Sequence, residues 1–442
     1  MQNRNEGACV RRAAIALVAL IATVVISPAF ADFTVNLADG EVLEVTEIGA
    51  DNDGPLVLWF TNQYGDIAGP SSVAQALARR GATVWQVDLL ESLFLTRTDR
   101  AVRELDGAAV AALIQHAIDV APGRERVVLG VDRMGVPVLR GMRLWQSQTD
   151  DPAALAGAIL LFPNLFRGTP IAGQEPEFFG IVDATNLPVM IIQPEMGVYM
   201  NRLATLRDRL INAGSPVFTW VVPEVKDFYF VETGEGQTDS LEANDDLLED
   251  PASVKATRAL PGQIIASIPL LSAASHSGEV LEINLAHTEP TEKQTGLQPV
   301  DPVPAPDFEL VDLYDGRQSL RHDFDGVQIV NFWATWCPAC VEELPSMERL
   351  ASRYPDRLRI YGIAFKETPE HLRDFLQHYD ISFPVPVDID GAVAERYGAF
   401  AFPTSFMVAP DGKIHYAVNA GIIWDTPEVE AIMQELLEIK PE

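Results

Sequence analysis

Six short apolar runs punctuate the first half of the sequence: LVLWF (56–60), TVWQVDL (83–89), RVVLGV (126–131), AILLF (158–162), PVMIIQ (188–193) and PVFTWVV (216–222). Few of their positions are polar, so each run must be covered on both faces rather than on one. Between them lie segments such as SVAQALARRG and DGAAVAALIQHAIDVA, in which apolar residues recur at helical spacing. Strands alternating with helices pack as a mostly parallel sheet covered on both sides. That α/β architecture is the expectation for residues 32–272, closed by a helix near 253–271.

Beyond residue 272 the periodicity is lost, and the chain runs into QPVDPVPAPDF. Alternating prolines favour an extended, semi-rigid spacer, so residues 273–301 read as a linker and residues 302–442 as a second domain. Two domains suit a chain of 442 residues. The segment 224–250 carries ten acidic residues against the single Lys226. Such a run reads as a solvated loop.

The N-terminus reads as a secretory signal peptide over residues 1–31. Arg4, Arg11 and Arg12 precede an apolar run at 13–26, and Ala29-Phe30-Ala31 supplies a small-x-small cleavage site after Ala31. The run falls short of the roughly 20 residues that span a bilayer. An uncleaved anchor formed by 13–26 is the alternative. Cleavage removes three Arg and one Glu, which takes the net charge from −31 to −33. So acidic a protein repels phosphate, which excludes nucleic acid as a partner. The expected location is the periplasm.

Of three cysteines, one (Cys9) lies in the leader; the other two, Cys337 and Cys340, are three positions apart in NFWATWCPAC. QIVNFWATW reads as a buried strand and turn, and VEELPSMERLASRY as a helix that Pro345 is expected to kink. Cys337 therefore falls at a helix N-terminus, with Cys340 one turn deeper. Free backbone N–H groups and the helix dipole stabilise a thiolate there. A free thiol with a pKa of about 8.5 is only about 3% ionised at pH 7, whereas one lowered to about 7 is half ionised. Pro338 suits the first helical position, where its missing N–H has no helical partner. A structural disulfide is the competing reading, although a bridge across so short a loop contributes little chain entropy. A metal site needs more ligands, and there is no second Cys pair or Cys/His cluster.

Several ordered features of residues 302–437 resemble the TlpA/ResA-type, thioredoxin-like thiol-disulfide oxidoreductases of the bacterial cell envelope. PAPDFELVDLYDGRQSL is similar to the family's opening hairpin, IVNFWATWCPACVEELP to its active-site strand and helix, and AERYGAFAFPTSFMVAPDGKI to its cis-proline segment. Residues 366–389 correspond to its helix-and-strand insertion. The resemblance implies that Cys337 is the attacking thiolate and Cys340 the resolving thiol. It implies that Pro403, after Phe402, is cis and presents backbone to the partner, that Trp336 packs beside the site, and that Glu343 adjusts a cysteine or carries protons. Glu342 is the other acid that could face inward. Where ordinary thioredoxins place a buried Asp, six residues before the first cysteine, this chain has Asn331, which cannot take a proton. The redox-active disulfide is the only cofactor implied. Envelope proteins bearing disulfides are the implied substrates, as in cytochrome c maturation, with an upstream, membrane-bound thiol electron donor. A peroxiredoxin site would have Thr and Pro where this chain has Ala334 and Val330.

The first domain resembles the α/β-hydrolase fold, less specifically. RVVLGVDRMGVPVLRGM looks like the strand–elbow–helix of G-x-S-x-G enzymes, with Asp132 at the nucleophile position, Met134 at the second glycine position and Gly135 after it. An Asp nucleophile is compatible with that fold, and Asp132 with Arg133 reads equally as an internal ion pair. The loop after the last strand, where the base should lie, holds Lys226 and Asp227 but no histidine. His116 is mid-helix, and His276 follows the closing helix. A base out of reach of its nucleophile leaves no triad, so this domain is expected to be a non-catalytic scaffold. The alternative function is a hydrolase with an accessory redox domain.

Overall fold

The structure, a computed structural model, describes residues 30–441 except 39, 63, 65–67, 169–171, 231–249, 292–295, 315 and 400. The expected leader lies outside these residues except for Phe30 and Ala31, which open the first strand. The alternative anchor at 13–26 and most of the acidic segment also lie outside them.

An eight-stranded sheet forms the first domain. β1 (Phe30–Asn36) and β2 (Val42–Ile48) make an antiparallel hairpin at one edge. β3 (Leu56–Phe60), β4 (Thr83–Val87), β5 (Arg126–Val131), β6 (Gly157–Leu161), β7 (Val189–Pro194) and β8 (Val217–Val222) follow. The spatial order is β1-β2-β4-β3-β5-β6-β7-β8, with β2 antiparallel to β4 and every pair from β4 through β8 parallel. The six apolar runs are thus the six parallel strands.

For β3 to β7 the continuous apolarity has the expected cause; β8, the strand at the sheet's edge, departs from the expectation, since Thr219, Trp220 and Val221 are exposed. Alternate residues of β3 point to opposite faces: Leu56, Leu58 and Phe60 join one core, Val57 and Trp59 the other. Helices α1 (Ala68–Ala78), α2 (Ala108–Val120), α3 (Gly135–Gln146), α4 (Leu203–Asn212) and α5 (Pro251–Ser272) cover the two faces. Leu113, Ile114 and Leu139 fill the first core; Leu77, Leu260 and Ile264 fill the second. Each such side chain, once buried, contributes roughly 2 kcal/mol.

The segment expected to be a spacer is structured at both ends, which corrects the 273–301 linker. Arg143 donates through Nε (2.8 Å) and Nη2 to the Leu281 carbonyl, Gln146 to those of Ser277 and Glu279, and Gly180 N–H to that of His287. Leu281 and Ile283 pack on the first core. This stretch has no periodicity because side chains of α3, rather than a ladder of its own, satisfy its backbone. At the other end Gln298–Pro304 forms a strand, β9, of the second domain. The expected boundary at residue 302 falls inside it.

The second domain has a six-stranded sheet. β10 (Glu309–Val311) and β11 (Arg317–Ser319) form a separate hairpin. Then come β12 (Val327–Trp333), α6 (Pro338–Arg353), β13 (Leu358–Phe365), α7 (Pro369–Leu376), β14 (Val387–Asp388), α8 (Ala392–Arg396), β15 (Thr404–Val408), β16 (Lys413–Val418) and α9 (Pro427–Leu437). The sheet order is β14-β13-β12-β15-β16-β9. β12 is central, parallel to β13 and antiparallel to β15. α6 continues through Pro345. Ile329 and Trp333 face Leu344, Met347 and Met433, while Val330 and Phe332 face Tyr361, Val393 and Phe406.

The two domains touch. Ala172 joins the second domain's core, and Gly173 passes Gly398 so closely that a Cβ on Gly398 would lie 3.2 Å from Gly173 Cα.

Candidate redox site

β12 ends at Trp333, and a short turn through Ala334, Thr335 and Trp336 delivers Cys337 to the start of α6. Cys337 is the helix N-cap: its backbone is extended, and its Sγ accepts from Cys340 N–H at 3.3 Å. Cys340 N–H and Val341 N–H also donate to the Cys337 carbonyl, at 3.0 and 3.2 Å. The backbone of Pro338 takes the first helical position; its side chain lies outside the described set. Cys337 and Cys340 are joined in a disulfide with their Cα atoms 5.3 Å apart. Cys337 is 8% exposed and Cys340 fully buried. An incoming thiol therefore meets Cys337 first, and the first turn of α6 directs the Cys340 N–H at its sulfur.

The Phe402–Pro403 peptide is cis, as the family resemblance implies, and leads directly into β15. Trp336 is 38% exposed and meets Phe402 edge-on, with ring centroids 5.9 Å apart. Phe402 in turn packs on Phe365 at 4.6 Å.

Glu343 is the inward-facing acid; Glu342 is exposed. Glu343 Oε1 accepts from Asn331 Nδ2 at 2.7 Å, and Oε2 from Trp424 Nε1 at 3.1 Å and Ile422 N–H at 3.4 Å. Burial pushes its carboxyl up to about 7, against the lowering effect of these donors, Trp424 first. A carboxyl titrating near neutrality behind two cysteines can hold or release a proton at physiological pH.

Glu367 and Trp424 were not singled out by sequence. Glu367 follows β13, and its Oε1 accepts from Thr335 Oγ1 at 2.7 Å and Thr335 N–H at 3.3 Å. No short motif marks it.

In the first domain, Asp132 follows β5 at the sheet's carboxyl edge, beside the point where strand order reverses around β3. Its φ is +53°, so the turn is sharp. Gly135, not position 134, makes the close approach: a Cβ there would lie 2.9 Å from Leu165 Cδ2. Asp132 Oδ2 pairs with Arg133 Nη1 at 2.6 Å, the internal ion pair. Neither histidine reaches it. His116 packs on Phe33 and Trp85, and His276 Nε2 bonds the carbonyl of Ala156, just before β6 and so at the opposite edge. Asp227, on the loop after β8, accepts from Val198 N–H at 2.9 Å. Burial raises its carboxyl to about 7, and the Asp132 charge adds to that shift. Among the described residues no cluster of His, Cys, Asp and Glu suits a metal.

Comparison with known proteins agrees with this geometry. A model of the AhpC/TSA family matches residues 303–417. The thiol-disulfide oxidoreductase ResA of Bacillus thuringiensis subsp. konkukian is 37% identical over 112 residues, which cover 25% of this chain and 64% of that protein. The chain thus spans just under two thirds of that relative's length. ResA of Geobacillus thermodenitrificans is 34% identical over 139 residues, 31% of this chain and 76% of that one. The thioredoxin-like protein YneN of Bacillus subtilis is 33% identical over 127 residues, with 28% and 73% covered. Among solved structures, StoA from Bacillus subtilis is similar at 21% identity and a TM-score of 0.26, covering 29% of this chain and 96% of that one. Through its C-terminal domain the chain belongs to the TlpA/ResA-type thioredoxin-like thiol-disulfide oxidoreductases.

Proposed function

We propose that this protein is an exported thiol-disulfide oxidoreductase that reduces disulfides of cell-envelope proteins through the Cys337–Cys340 dithiol. The observation that carries the reading is the pairing of a shallow Cys337 at a helix N-cap with a buried Cys340, next to the cis Phe402–Pro403 peptide. The Cys337 thiolate attacks a partner disulfide, forming a mixed disulfide and releasing one partner sulfur as a thiolate. Cys340 then attacks Cys337, the second partner thiol leaves, and two electrons have passed to the partner. A thiol donor of the envelope restores the dithiol. Export rests on the leader-like residues 1–31; no described helix is long and apolar enough to cross a membrane.

The first domain serves as a scaffold for the redox domain. Its strand order, with a sharp turn at Asp132, supports an α/β-hydrolase ancestry, while Arg133 pairs with Asp132 and the domain's His116 and His276 are engaged elsewhere. One observation favours the second reading, a working hydrolase: Asp227 lies on the loop where the base belongs, with a carboxyl titrating near neutrality.

A Cys340→Ser variant produced in the native host should accumulate mixed disulfides with its partners, and Cys337→Ser should lose reductase activity with the fold intact. Activity that persists in Cys337→Ser refutes the assignment. Hydrolysis of an ester or haloalkane panel that disappears in Asp132→Asn would establish the second reading.

A further inference from the structure

The first domain reaches the redox site through the loop after β8. Lys226 Nζ lies 3.3 Å from Glu367 Oε1 and 5.7 Å from the centroid of the Trp336 ring. The Glu367 side chain is fully buried, and its Oε2 has no hydrogen-bond partner among the described residues. A buried carboxylate is tolerated when a counter-charge and hydrogen bonds compensate it. Lys226 supplies the charge; Thr335, two residues before Cys337, supplies the hydrogen bonds. The lysine is held on both sides: Val225 is buried in the first domain's core, and Asp227 accepts from Val198 N–H. A second tie runs beside it, from Lys366 Nζ to the Glu195 carbonyl at 3.4 Å.

We propose that Lys226 is a positioning residue of the redox site, supplied by the other domain: it neutralises Glu367 and holds the Trp336 indole, so that docking of the first domain sets the reactivity of Cys337. The proposal rests on Cys337 being the attacking sulfur. Without the ammonium, the negative charge beside Thr335 stands uncompensated and opposes formation of the thiolate. The charged groups on the segments next to the site include Glu342 and buried Glu343 on α6, Lys366 and Glu367 after β13, and Lys226 and Asp227 from the first domain. His371 of α7 lies 3.0 Å from Thr335 Oγ1. Phe402 and Pro403 contribute no charge. Glu343 is engaged by Asn331 and Trp424 within its own domain, and Lys366 meets a backbone carbonyl of the first domain, whereas Lys226 and Glu367 form an ion pair across the two domains.

The test is alkylation of reduced, full-length protein by iodoacetamide across pH, read at the Cys337 peptide by mass spectrometry. Lys226→Met should move the midpoint up by about one pH unit and slow alkylation at pH 7 about fivefold. Lys226→Arg should keep the wild-type profile, and Lys226→Met with Glu367→Gln should return to it. A Lys226→Met profile that superimposes on wild type overturns the inference, as does a double variant that stays shifted. A wild-type Cys337 that alkylates like a free thiol overturns the proposed function itself and this inference with it.

Discussion

Asn331, at the centre of β12, donates its side-chain amide to Glu343 Oε1 at 2.7 Å and to Ser405 Oγ at 2.9 Å. It thereby joins the central strand to the helix that bears both cysteines and to the strand that follows Pro403. An ionised aspartate at this position can donate to neither partner, and it would set a second carboxylate against Glu343. Asn331→Asp is therefore expected to lose about 3 kcal/mol at pH 8 and less at pH 5, where a shared proton relieves the repulsion. Urea titrations at the two pH values measure this. Equal stability at pH 8 would show that the contact carries no weight.

Glu343 itself makes stability depend on pH. Its folded-state carboxyl titrates at about 7, against 4.5 as the ordinary value. Between these values the folded protein binds more protons than the unfolded chain, so stability falls as pH rises through that window. The full loss is about 3 kcal/mol. Glu343→Gln keeps acceptor oxygen for its neighbours and removes the titration. Its stability curve should lie level with wild type near pH 4 and above it from pH 7 upward.

Trp424 Nε1 is the donor that most favours the charged form of Glu343. Removing it in Trp424→Phe should raise the Glu343 titration further. Carbon-13 NMR of the labelled side-chain carboxyl reads this directly; a midpoint that stays put or falls contradicts the assigned hydrogen bond.

A redox-domain fragment that starts at residue 302 cuts β9, whereas one that starts at residue 296 keeps it and the partly buried Leu297. The longer fragment should be more stable by about 2 kcal/mol. Thermal unfolding of the pair decides it.

Parallel strands β3 to β7 were legible because strands buried on both faces must be apolar throughout, whereas β8 carries a like run with its middle residues exposed; Cys337, Cys340 and Pro403 were legible because their neighbours in sequence form ordered motifs that resemble a known family's. The β1–β2 hairpin, polar on alternate positions, gave no comparable run. β9 was misread because prolines suggest a spacer and also suit the rim of a sheet. The meeting of Lys226 with Glu367 joins residues 141 positions apart, and each in isolation is an ordinary charged residue. Glu343 was singled out by the family resemblance, while the source of its shifted titration, its burial, needed the fold.

β9 is the last strand of its sheet, and Pro299, Pro302 and Pro304 leave three of its seven residues without a donor hydrogen. Another extended polypeptide cannot build a continuous ladder along such a rim. An extended segment of any other chain, a second copy included, thus finds no template for stacking along this flank of the oxidoreductase domain.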